Sequence, residues 1–407
     1  MTNYQALKYS TRIYFHDKSV ETEKIKVRIL NEKYLKSFCR LLDLDIEKIN
    51  PEGYERPNKD LINTDWSDMP EYRVCSDKWF LLELNILTKK QFTEKTNLKL
   101  SRGSCWYPHR YRSGKEYCEL REGKEGKQEE LQNSCPLYVL SLGRYKYNDT
   151  YKSLKSMGCK NIKVFVEPFE YKLYLKVIPA NELVKLPKDY HLLKEGGKHV
   201  RNFIHIYSKL YNRDKEKYWL LDDNIDGFYF FQDNIKYECL TGFCFYYVEK
   251  FMNKWKNSYL GGMGYSSDIC EIEKSKPCIV KNSKVYSCFL INNDITNVIE
   301  GELWKGKYNE DIILCIELLK KGYPTFTTNM FLCNKLSTGN RKGGNQVNLY
   351  KDTKEKSWDY IKTDYLLKFF PLLSGEDTIR FSDRRGKKYH HYINWNNINK
   401  NLELIRK

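Results

Sequence analysis

The sequence predicts an α/β protein with a small α+β domain at its N-terminal end. Over the C-terminal two-thirds, apolar runs of strand length alternate with helical patterns, which is typical of an α/β domain with a mainly parallel sheet. Near the N-terminus, residues 25–38 and 82–95 each begin as an alternating strand and continue as a helical pattern. A polar, charged stretch over 113–134 separates the two parts. We therefore predict an accessory domain at 1–130 and a larger domain at 131–407.

Composition and charge narrow the classes of function. Hydrophobic residues make up 41% of the 407-residue chain, and the formal net charge of +17 favours polyanionic partners such as nucleic acid or a nucleotide. No segment approaches the ~18 consecutive apolar residues of a membrane helix, and the first residues lack the apolar core of a signal peptide. We expect an intracellular, cytoplasmic protein with no membrane partner. The 13 cysteines form no CxxC pair, which argues against a zinc site and for buried, reduced thiols.

An acidic cluster ends a short apolar strand in the segment WLLDDNID (219–226). Ligands of α/β proteins bind at the carboxyl ends of parallel strands. Asp222, Asp223 and Asn224 stand at such an end, and their oxygens are of the kind that Mg²⁺ or Mn²⁺ takes when it carries substrate phosphates. The cluster predicts a metal and diphosphate site. The alternative is that Asp223 and Asn224 only form a turn after the strand.

A second acidic pair begins a predicted helix. The stretch NEDIILCIELLKKGY (309–323) has apolar residues at helical spacing and a glycine near its end, which predicts an amphipathic helix. Glu310 and Asp311 stand in its first turn, where acids commonly stabilise the helix dipole without any further role. Beside a metal and diphosphate site, one of them would serve as the general base that deprotonates an acceptor hydroxyl.

Two adjacent histidines stand near the C-terminus, His390 and His391 in RRGKKYHHYINW. Side chains of neighbouring residues in a strand point to opposite faces, so we expect at most one of the two to face a given site. A neutral imidazole there would complete a metal shell or contact a phosphate. An exposed pair in a basic segment is the equally weighted alternative.

Three glycine-rich or basic segments suit contacts to phosphate. Gly143 and Arg144 directly follow the first strand of the larger domain, and EGGKHVRN (195–202) places two glycines before a helix that contains Arg201. The loop STGNRKGGNQ (337–346) contains Arg341 and Lys342 and would close over a substrate or follow a nucleic-acid backbone. An ordinary solvated loop is the alternative for the last segment.

These motifs occur in a recognisable order. Residues 136–395 resemble the TET/JBP-associated glycosyltransferases, a group that includes the base J glucosyltransferase and many phage enzymes. The segments that carry the resemblance are SLGRYKYNDTYKSLKSMGCKNIKVFVEP, GGKHVRN, WLLDDNI, YLGGMGY with Gly261 and Gly262, YNEDIILCIELLKKGY and YHHYINW. The resemblance implies a GT-A type nucleotide-diphospho-sugar transferase domain.

The resemblance also implies roles for individual residues. Glu310 and Asp311 look like the catalytic acids, and Asp223 and Asn224, with His390 and His391, look like the metal site. The residues that look like the donor site are Gly143, Arg144, Glu167, Arg201, Asn202 and Asp222. In the N-terminal part, the aromatic and basic cluster SRGSCWYPHRYR, which contains Arg110 and Arg112, would grip nucleic acid.

The family acts on hydroxymethylated pyrimidines in DNA. The resemblance therefore implies transfer of a sugar, expected to be glucose from a UDP-linked donor, to the hydroxymethyl group of 5-hydroxymethyluracil or 5-hydroxymethylcytosine. We expect Mn²⁺ or Mg²⁺ as cofactor, DNA as partner, and inversion at the sugar carbon, because a candidate base is present and a nucleophile is not evident. The alternatives are a GT-A enzyme with a non-DNA acceptor, a DNA-binding protein with a degenerate transferase domain, and a nucleotidyltransferase.

Overall fold

The computed structural model shows a chain that folds into two compact units. One unit comprises the described residues of Met1–Gln128 together with Phe230–Glu238, and the other comprises Glu129–Tyr229, Cys239–Cys270 and Ile279–Lys407. The structure describes residues 10–16, 23–29, 32–44, 52–54, 79–85, 87–96, 98, 100, 104–107, 111–112, 131–232, 235–255, 257–269, 279–335, 343–344, 356–382 and 389–406.

Within its described residues, the first unit contains a five-stranded sheet and two helices. Its strands and helices are β1 (Ser10–His16), β2 (Ile25–Ile29), α1 (Glu32–Leu41), β3 (Glu52–Tyr54), β4 (Trp79–Asn85), α2 (Lys89–Thr96) and β5 (Ser104–Tyr107), in the sheet order β3-β1-β4-β2-β5. Alternate residues of β2 and β4 are buried and pack against Phe38 of α1 and Phe92 of α2. The two predicted strand–helix pairs are thus confirmed, because each strand has one apolar face that a helix covers.

The same unit includes a segment from much later in the chain. A short strand, β6 (Tyr111–Arg112), pairs in parallel with β12 (Ile235–Glu238), with Lys236 opposite Tyr111 and Tyr237 opposite Arg112. The pairing explains why Phe230–Glu238 belongs to the first unit, although the linear division at residue 130 assigns it to the larger domain.

The second unit contains the large mixed sheet. Its elements are β7 (Leu137–Leu140), α3 (Asp149–Ser156), β8 (Ile162–Val166), α4 (Tyr171–Tyr174), β9 (Leu183–Lys185), α5 (Lys198–Tyr211), β10 (Lys217–Asp222), β11 (Ile225–Gln232), α6 (Phe243–Lys254), β13 (Leu260–Tyr265), β14 (Ile279–Lys281), β15 (Cys288–Asn292), α7 (Glu310–Lys320), β16 (Thr325–Lys335), α8 (Trp358–Phe369), β17 (Ile379–Ser382), β18 (His390–Ile393) and α9 (Trp395–Arg406). The order of the sheet is β11-β16-β13-β15-β10-β7-β8-β9, and β14 also pairs with β16.

The sheet is mixed and contains four parallel pairings among its described residues, where the sequence predicts a mainly parallel sheet; the fourth joins β13 to β16. Strands β9, β8, β7 and β10 run in parallel, whereas β15 is antiparallel to both of its neighbours. Leu140 lies opposite Asp222 in β10 and Phe165 in β8, so these three strands end at the same edge of the sheet. The residues that follow them therefore lie close together.

Helices cover both faces of the central strand β10. Its residues 217–221 are all buried, as expected for a strand of a parallel sheet that is covered on both faces. Tyr218 and Leu220 pack with Ile204 of α5, whereas the ring of Trp219 lies 5.0 Å from that of Phe245 in α6. Packing on both faces thus fixes β10, and Asp222 stands at the end of this strand, directly after its buried residues.

The predicted helix at 309–323 is confirmed over Glu310–Lys320, and Gly322 adopts a positive φ just past its end. One of the apolar runs of strand length in this part of the chain, residues 176–180, does not form a strand. The amides of Val177 and Ile178 donate to the carbonyl of Tyr174, which makes a helical turn, and the strand forms later at Leu183–Lys185.

The nine cysteines that the structure describes are all buried and none of them forms a disulfide, as the sequence suggests. Among the described helices, none combines the length and the apolar character that crossing a bilayer would require.

The glycine pair of β13 fits a crowded part of the sheet. A Cβ atom on Gly262 would collide with the backbone carbonyl oxygen of Cys288 and lie 2.6 Å from Cγ1 of Val285. We predict that Gly262→Ala lowers the free energy of unfolding by about 1–3 kcal/mol, because overpacking in a rigid layer forces the backbone to shift. Urea unfolding followed by tryptophan fluorescence measures this. The control is Gly375→Ala, whose Cβ would meet nothing closer than 3.7 Å, and equal midpoints for the two variants would contradict the prediction.

Candidate functional site

A cavity of about 330 Å³ lies at the carboxyl ends of β7, β8 and β10 in the second unit. The helices α5 and α7 both begin at its wall, after Gly197 and Asn309 respectively. Ten residues singled out from the sequence line the cavity: Arg144, Glu167, Arg201, Asp222, Asp223, Asn224, Glu310, Asp311, His390 and His391. The fold brings them together from six separate segments of the chain.

Asp222, at the end of β10, is held by two cations and one hydroxyl. Arg201 donates from Nη2 to Oδ1 at 2.9 Å, while Lys335 Nζ and Ser287 Oγ each donate to Oδ2 at 2.7 Å. Burial alone would raise the pKa of this carboxyl, but the positive charges of Lys335 and Arg201 hold the pKa well below its usual range. Asp222 is therefore ionised at neutral pH.

Asp223 is buried beside it and has a cation of its own. Its carboxylate forms an ion pair with Arg144 and accepts a hydrogen bond from Ser141 Oγ at 2.6 Å. Burial raises the pKa of Asp223, and Arg144 and Ser141 act against that rise. Both acids of the WLLDDNID motif are thus bonded to positive charge in this structure.

Arg201 links the two acidic pairs of the cavity. Besides its bond to Asp222, its Nε lies 3.6 Å from Oε1 of Glu310. The guanidinium lies 4.8 Å from the ring centroid of Trp304 and 5.1 Å from that of Phe289. Burial lowers the pKa of Arg201, but the carboxylates of Asp222 and Glu310 raise it by more, so the pKa lies above its usual value and the arginine stays charged.

The family resemblance implies that Asn202 binds the donor, but the structure places it behind the cavity wall. Its Nδ2 donates to the carbonyl of Trp304 at 3.0 Å, and its Oδ1 accepts from the amide of Trp304 at 2.8 Å. Asn202 is not among the residues that line the cavity. It positions Trp304, on which Arg201 is stacked, and so acts on the cavity through another residue.

Glu310 and Asp311 begin α7 at the cavity and have different surroundings. The side chain of Glu310 is 12% exposed and faces Arg201, and burial raises its pKa against the charge of that arginine. Asp311 lines the cavity, and its Oδ1 accepts a hydrogen bond from the amide of Ile312 at 2.8 Å. The adjacent acids are therefore not equivalent.

Lys335 is a cavity residue that sequence reasoning missed. It ends β16, and its Nζ donates to Ser287 Oγ at 2.6 Å as well as to Asp222. Ser287 also shares a 2.7 Å hydrogen bond with the hydroxyl of Tyr265. The sequence does carry one signal for Lys335, because a charged residue ends a buried strand here as Asp222 does in β10. For Ser287 and Tyr265 the sequence offers no such signal.

The glycine of the SLGR motif shapes the loop after β7 and does not line the cavity. Gly143 has a φ of +70°, which favours glycine, and its amide donates to Oε2 of Glu170 at 2.7 Å. Gly344 donates to the carbonyl of Leu142 at 2.9 Å, and Arg144 Nη2 donates to the carbonyl of Gly343 at 3.3 Å. The loop after β7 is therefore tied to residues 343–344.

Glu167, after β8, belongs to a cluster on one side of the cavity. One of its oxygens accepts from the amide of His191 at 2.8 Å, and the other contacts His191 Nδ1. Burial raises the pKa of Glu167, and His191 opposes the rise. Within the described part of the chain, Glu167, Asp189 and His191 are the group of three whose candidate metal-ligand atoms all lie within 4.8 Å of one another. The contacts between Glu167 and His191 account for their closeness without a metal.

The two histidines of β18 both line the cavity, contrary to the expectation that at most one would face a site. Their ring centroids are 4.4 Å apart, with His390 half exposed and 3.8 Å from Asp359. Tyr389, directly before the strand, has a φ of +79°, so the regular alternation of an extended strand does not hold at this end. Burial lowers the pKa of His391, with Lys362 and His390 acting in the same direction, so His391 is neutral.

The donor atoms in the cavity fit a divalent cation in kind. Asp222 and Asp223 supply carboxylate oxygens, Asn224 supplies an amide, and His391 has a buried Nδ1 without a hydrogen-bond partner. A mixture of oxygen ligands and imidazole suits Mn²⁺ better than Mg²⁺. Asp223, His390 and His391 do not come within 4.8 Å of one another as a group, so a bound metal would require some of these side chains to move.

The side chains predicted to contact nucleic acid lie outside the part of the chain that the structure describes. Arg110, Arg341 and Lys342 lie outside the described residues, and for Arg112 only the backbone of β6 is described. Gly343 and Gly344, which directly follow Lys342, lie against the loop that contains Arg144.

Comparison with known families identifies one match. A family model described as TET-Associated Glycosyltransferase matches residues 135–344, just over half of the chain. The matched region contains β7 and extends to Gly344, and it includes every cavity residue discussed above except Lys362 and the histidine pair of β18. No curated protein matches the sequence.

Glu170, which holds Gly143, gives the fold a measurable pH dependence. Burial raises the pKa of Glu170 to about 7, and the nearby negative charges of Glu167 and Asp223 act in the same direction against the bond from Gly143. Between its ordinary pKa and about pH 7 the folded protein binds a proton that the unfolded chain has released, so the free energy of unfolding falls as pH rises through this range.

We predict that Glu170→Gln removes this fall, so the variant gains stability relative to wild type between pH 5 and pH 8. Chemical unfolding of both proteins at the two pH values measures the difference. Glu376→Gln, an exposed acid, is the matched control. A difference between Glu170→Gln and wild type that is the same at pH 5 and pH 8 would contradict the prediction.

Proposed function

Because the chain belongs to the TET-associated glycosyltransferase family, we propose that it transfers a sugar from a nucleotide-diphospho-sugar to a hydroxymethylated pyrimidine in DNA. The proposed acceptor is the hydroxymethyl group of 5-hydroxymethyluracil or 5-hydroxymethylcytosine, and the proposed donor is UDP-glucose or a close relative. The proposed fold of the matched region is of the GT-A type, with the first unit as an accessory domain.

One observation carries the proposal. The acidic pair of α7 and the acidic pair of β10 line the same cavity, and Arg144, Arg201 and Lys335 lie between and beside them. Transfer of a glycosyl group needs a base for the acceptor hydroxyl and positive charge for the departing diphosphate, and both are present in this one cavity.

The diphosphate would occupy the part of the cavity where two helices begin. The amides at the start of a helix favour an anion, and both α5 and α7 begin at the cavity wall. Arg201, in the first turn of α5, adds a guanidinium that is already held in place by stacking on Trp304. This arrangement supports a nucleotide-diphosphate donor rather than an uncharged one.

Asp311 is the better candidate for the general base of the two acids on α7. Both acids line the cavity, but Glu310 is mostly buried and faces Arg201, whereas Oδ1 of Asp311 is fixed by the amide of Ile312. As the acceptor oxygen bonds to the sugar carbon and the bond from that carbon to the phosphate breaks, Asp311 takes the hydroxyl proton. Direct displacement of this kind inverts the sugar carbon, and Arg201 and Lys335 neutralise the departing diphosphate.

A divalent metal is part of the proposal. Mn²⁺ or Mg²⁺, when bound, would supply further positive charge beside the diphosphate. Asp223 and Asn224, with His391, would hold it.

The net charge of +17 supports DNA as the partner, since a polyanion is attracted to such a field. A base within a duplex must be turned out of the stack before its hydroxymethyl group can enter a cavity of this size. A protein, glycan or small-molecule acceptor would use the same cavity chemistry, so the acceptor must be tested directly.

The experiment is mass spectrometry of nucleosides from hydroxymethylated DNA after incubation with the protein, a panel of sugar nucleotides, and Mn²⁺ or Mg²⁺. We expect a hexose increment on the modified nucleoside and its disappearance when a chelator removes the metal. We predict that Asp223→Ala and Asp311→Ala each lower turnover by at least about 100-fold, because each removes a charge from the reacting centre.

Asp364→Asn is the matched control, since this acid pairs with Lys368 on α8 and does not line the cavity. It should leave turnover unchanged. Near wild-type activity of Asp311→Ala would remove Asp311 as the base. Hydrolysis of the sugar nucleotide without any DNA product would support a sugar-nucleotide transferase but exclude hydroxymethylated DNA as its acceptor.

Lys335 gives a second test of the donor site. We predict that Lys335→Met weakens binding of uridine diphosphate about 10- to 100-fold, because methionine cannot donate a charge-assisted hydrogen bond to phosphate, and that Lys335→Arg retains most of the affinity. Isothermal titration calorimetry measures both. Lys320→Met, an exposed lysine that pairs with Glu317, is the control, and equal affinities of Lys335→Met and wild type would exclude a role for Lys335 in donor binding.

A further inference from the structure

One rim of the cavity is formed by residues 167–197, called here the rim segment. It begins at Glu167 and ends at Gly197, both of which line the cavity, and His191 within it lines the cavity as well. The segment includes the short helix α4 and the strand β9. Any large acceptor that reaches the cavity from this side must pass over it.

Every exposed charged residue of the rim segment is a lysine: Lys172, Lys176, Lys185, Lys188 and Lys194. The five acids of the same segment are buried or partly buried: Glu167, Glu170, Glu182, Asp189 and Glu195. The charge that the rim segment presents is therefore mainly positive; the exception is near its end, where the side chain of Glu195 is 43% exposed and pairs with Lys198 and His199.

The same segment also exposes large apolar side chains. They are Phe169, Leu173, Leu175, Val177, Leu192 and Leu193, with Leu192 68% and Phe169 57% exposed. The ring of Phe169 lies 4.6 Å from that of His191, so the apolar surface begins at the cavity. Exposed apolar side chains gathered within one short segment mark an interaction site more often than an ordinary solvated surface.

Contacts within the rim segment join its two halves into one surface. The amide of Phe169 donates to Oδ1 of Asp189 at 3.1 Å, and Lys185 Nζ lies 5.8 Å from the ring centroid of Tyr171. Leu175 and Ile178 donate main-chain bonds to Tyr171 and Tyr174, so helical geometry continues past the end of α4. Residues four apart in this turn, such as Lys172 and Lys176, therefore lie on the same side.

We propose that the rim segment is the surface on which duplex DNA docks, an inference that rests on the proposed function. The lysines contact the phosphates on either side of the target base. Phe169 and Leu192 contact the bases that remain stacked, next to the gap that the target base leaves when it turns out towards the cavity. Apolar wedges flanked by basic residues act in this way in proteins that open a base step.

The arrangement of charge favours DNA over a lipid surface. On a helix that lies in a membrane, basic and apolar residues occupy opposite faces. In the rim segment an exposed lysine directly adjoins an exposed apolar residue at Lys172–Leu173, Lys176–Val177 and Leu193–Lys194. Such mixing suits a partner that presents phosphates and base edges close together.

Two rim variants test the surface by fluorescence anisotropy with a labelled duplex that carries a hydroxymethylated base, over a series of salt concentrations. The first combines Lys172→Gln, Lys176→Gln and Lys188→Gln, and the second combines Leu192→Ser and Leu193→Ser. We expect the lysine variant to bind at least about tenfold more weakly and to flatten the log–log salt dependence by about 0.9 for each phosphate that a lysine no longer neutralises. The leucine variant should weaken binding with little change in that slope.

The matched controls lie elsewhere in the second unit. Lys209→Gln, Lys215→Gln and Lys320→Gln together remove three other exposed lysines, and Ile206→Ser with Leu210→Ser removes two apolar side chains of α5 that are each 55% exposed. Both controls should bind DNA as wild type does. Unchanged binding of uridine diphosphate shows that all four variants are folded.

The outcomes separate this inference from the proposed function. Rim variants that bind DNA as tightly as wild type overturn the surface, and if wild type still adds sugar to DNA the function stands. Rim variants that are impaired only in binding to phosphatidylserine vesicles overturn DNA as the partner of this surface. Weaker DNA binding by the rim variants supports the rim segment as the DNA-docking surface. If wild type nevertheless transfers no sugar to DNA, only the proposed function is rejected.

Discussion

Two adjacent carboxylates at the end of a buried central strand are the constraint on which the cavity depends. Removing a carboxylate from water costs several kcal/mol unless a positive charge accompanies it. The strand itself is fixed, because β10 is hydrogen-bonded to β7 on one side and to β15 on the other. Arg144, Arg201 and Lys335 supply the charge from a loop, a helix and the end of another strand. Pairing them with Asp222 and Asp223 therefore draws these three elements around one cavity.

The same pairing suits the cavity to an anionic ligand. A diphosphate that enters competes with Asp222 for Arg201 and Lys335, and the helix amides beside it favour the ligand. Carboxylate oxygens are also the kind of ligand that a divalent cation takes. Without a ligand the network is balanced, because each of the two acids is paired with a cationic side chain.

The sequence could predict those features that depend on residues close to one another along the chain. Asp222 follows an apolar strand and Glu310 begins a periodic helix, and both patterns are visible in a few residues. Lys335 meets Asp222 from 113 positions away, so only the order of strands in the sheet reveals it. The family resemblance places Asn202 in the donor site beside Arg201, but α5 turns it away from the cavity and towards the backbone of Trp304. Local pattern thus predicts which elements contribute, whereas tertiary packing decides which side chain of each element enters the cavity.

The adjacent acids of α7 show how packing gives two similar residues different roles. Glu310 has the longer side chain, which reaches Arg201, and the burial that accompanies this contact makes its ionised form more costly. Asp311 is shorter, accepts a bond from the amide of Ile312, and stays at the cavity surface. The Glu310 carboxylate faces the buried guanidinium of Arg201 at 3.6 Å, so its oxygen is directed at that cation rather than at an acceptor hydroxyl. The different surroundings of the two acids therefore follow from side-chain length at the start of one helix, and the proposed function assigns Glu310 to Arg201 and Asp311 to the acceptor hydroxyl.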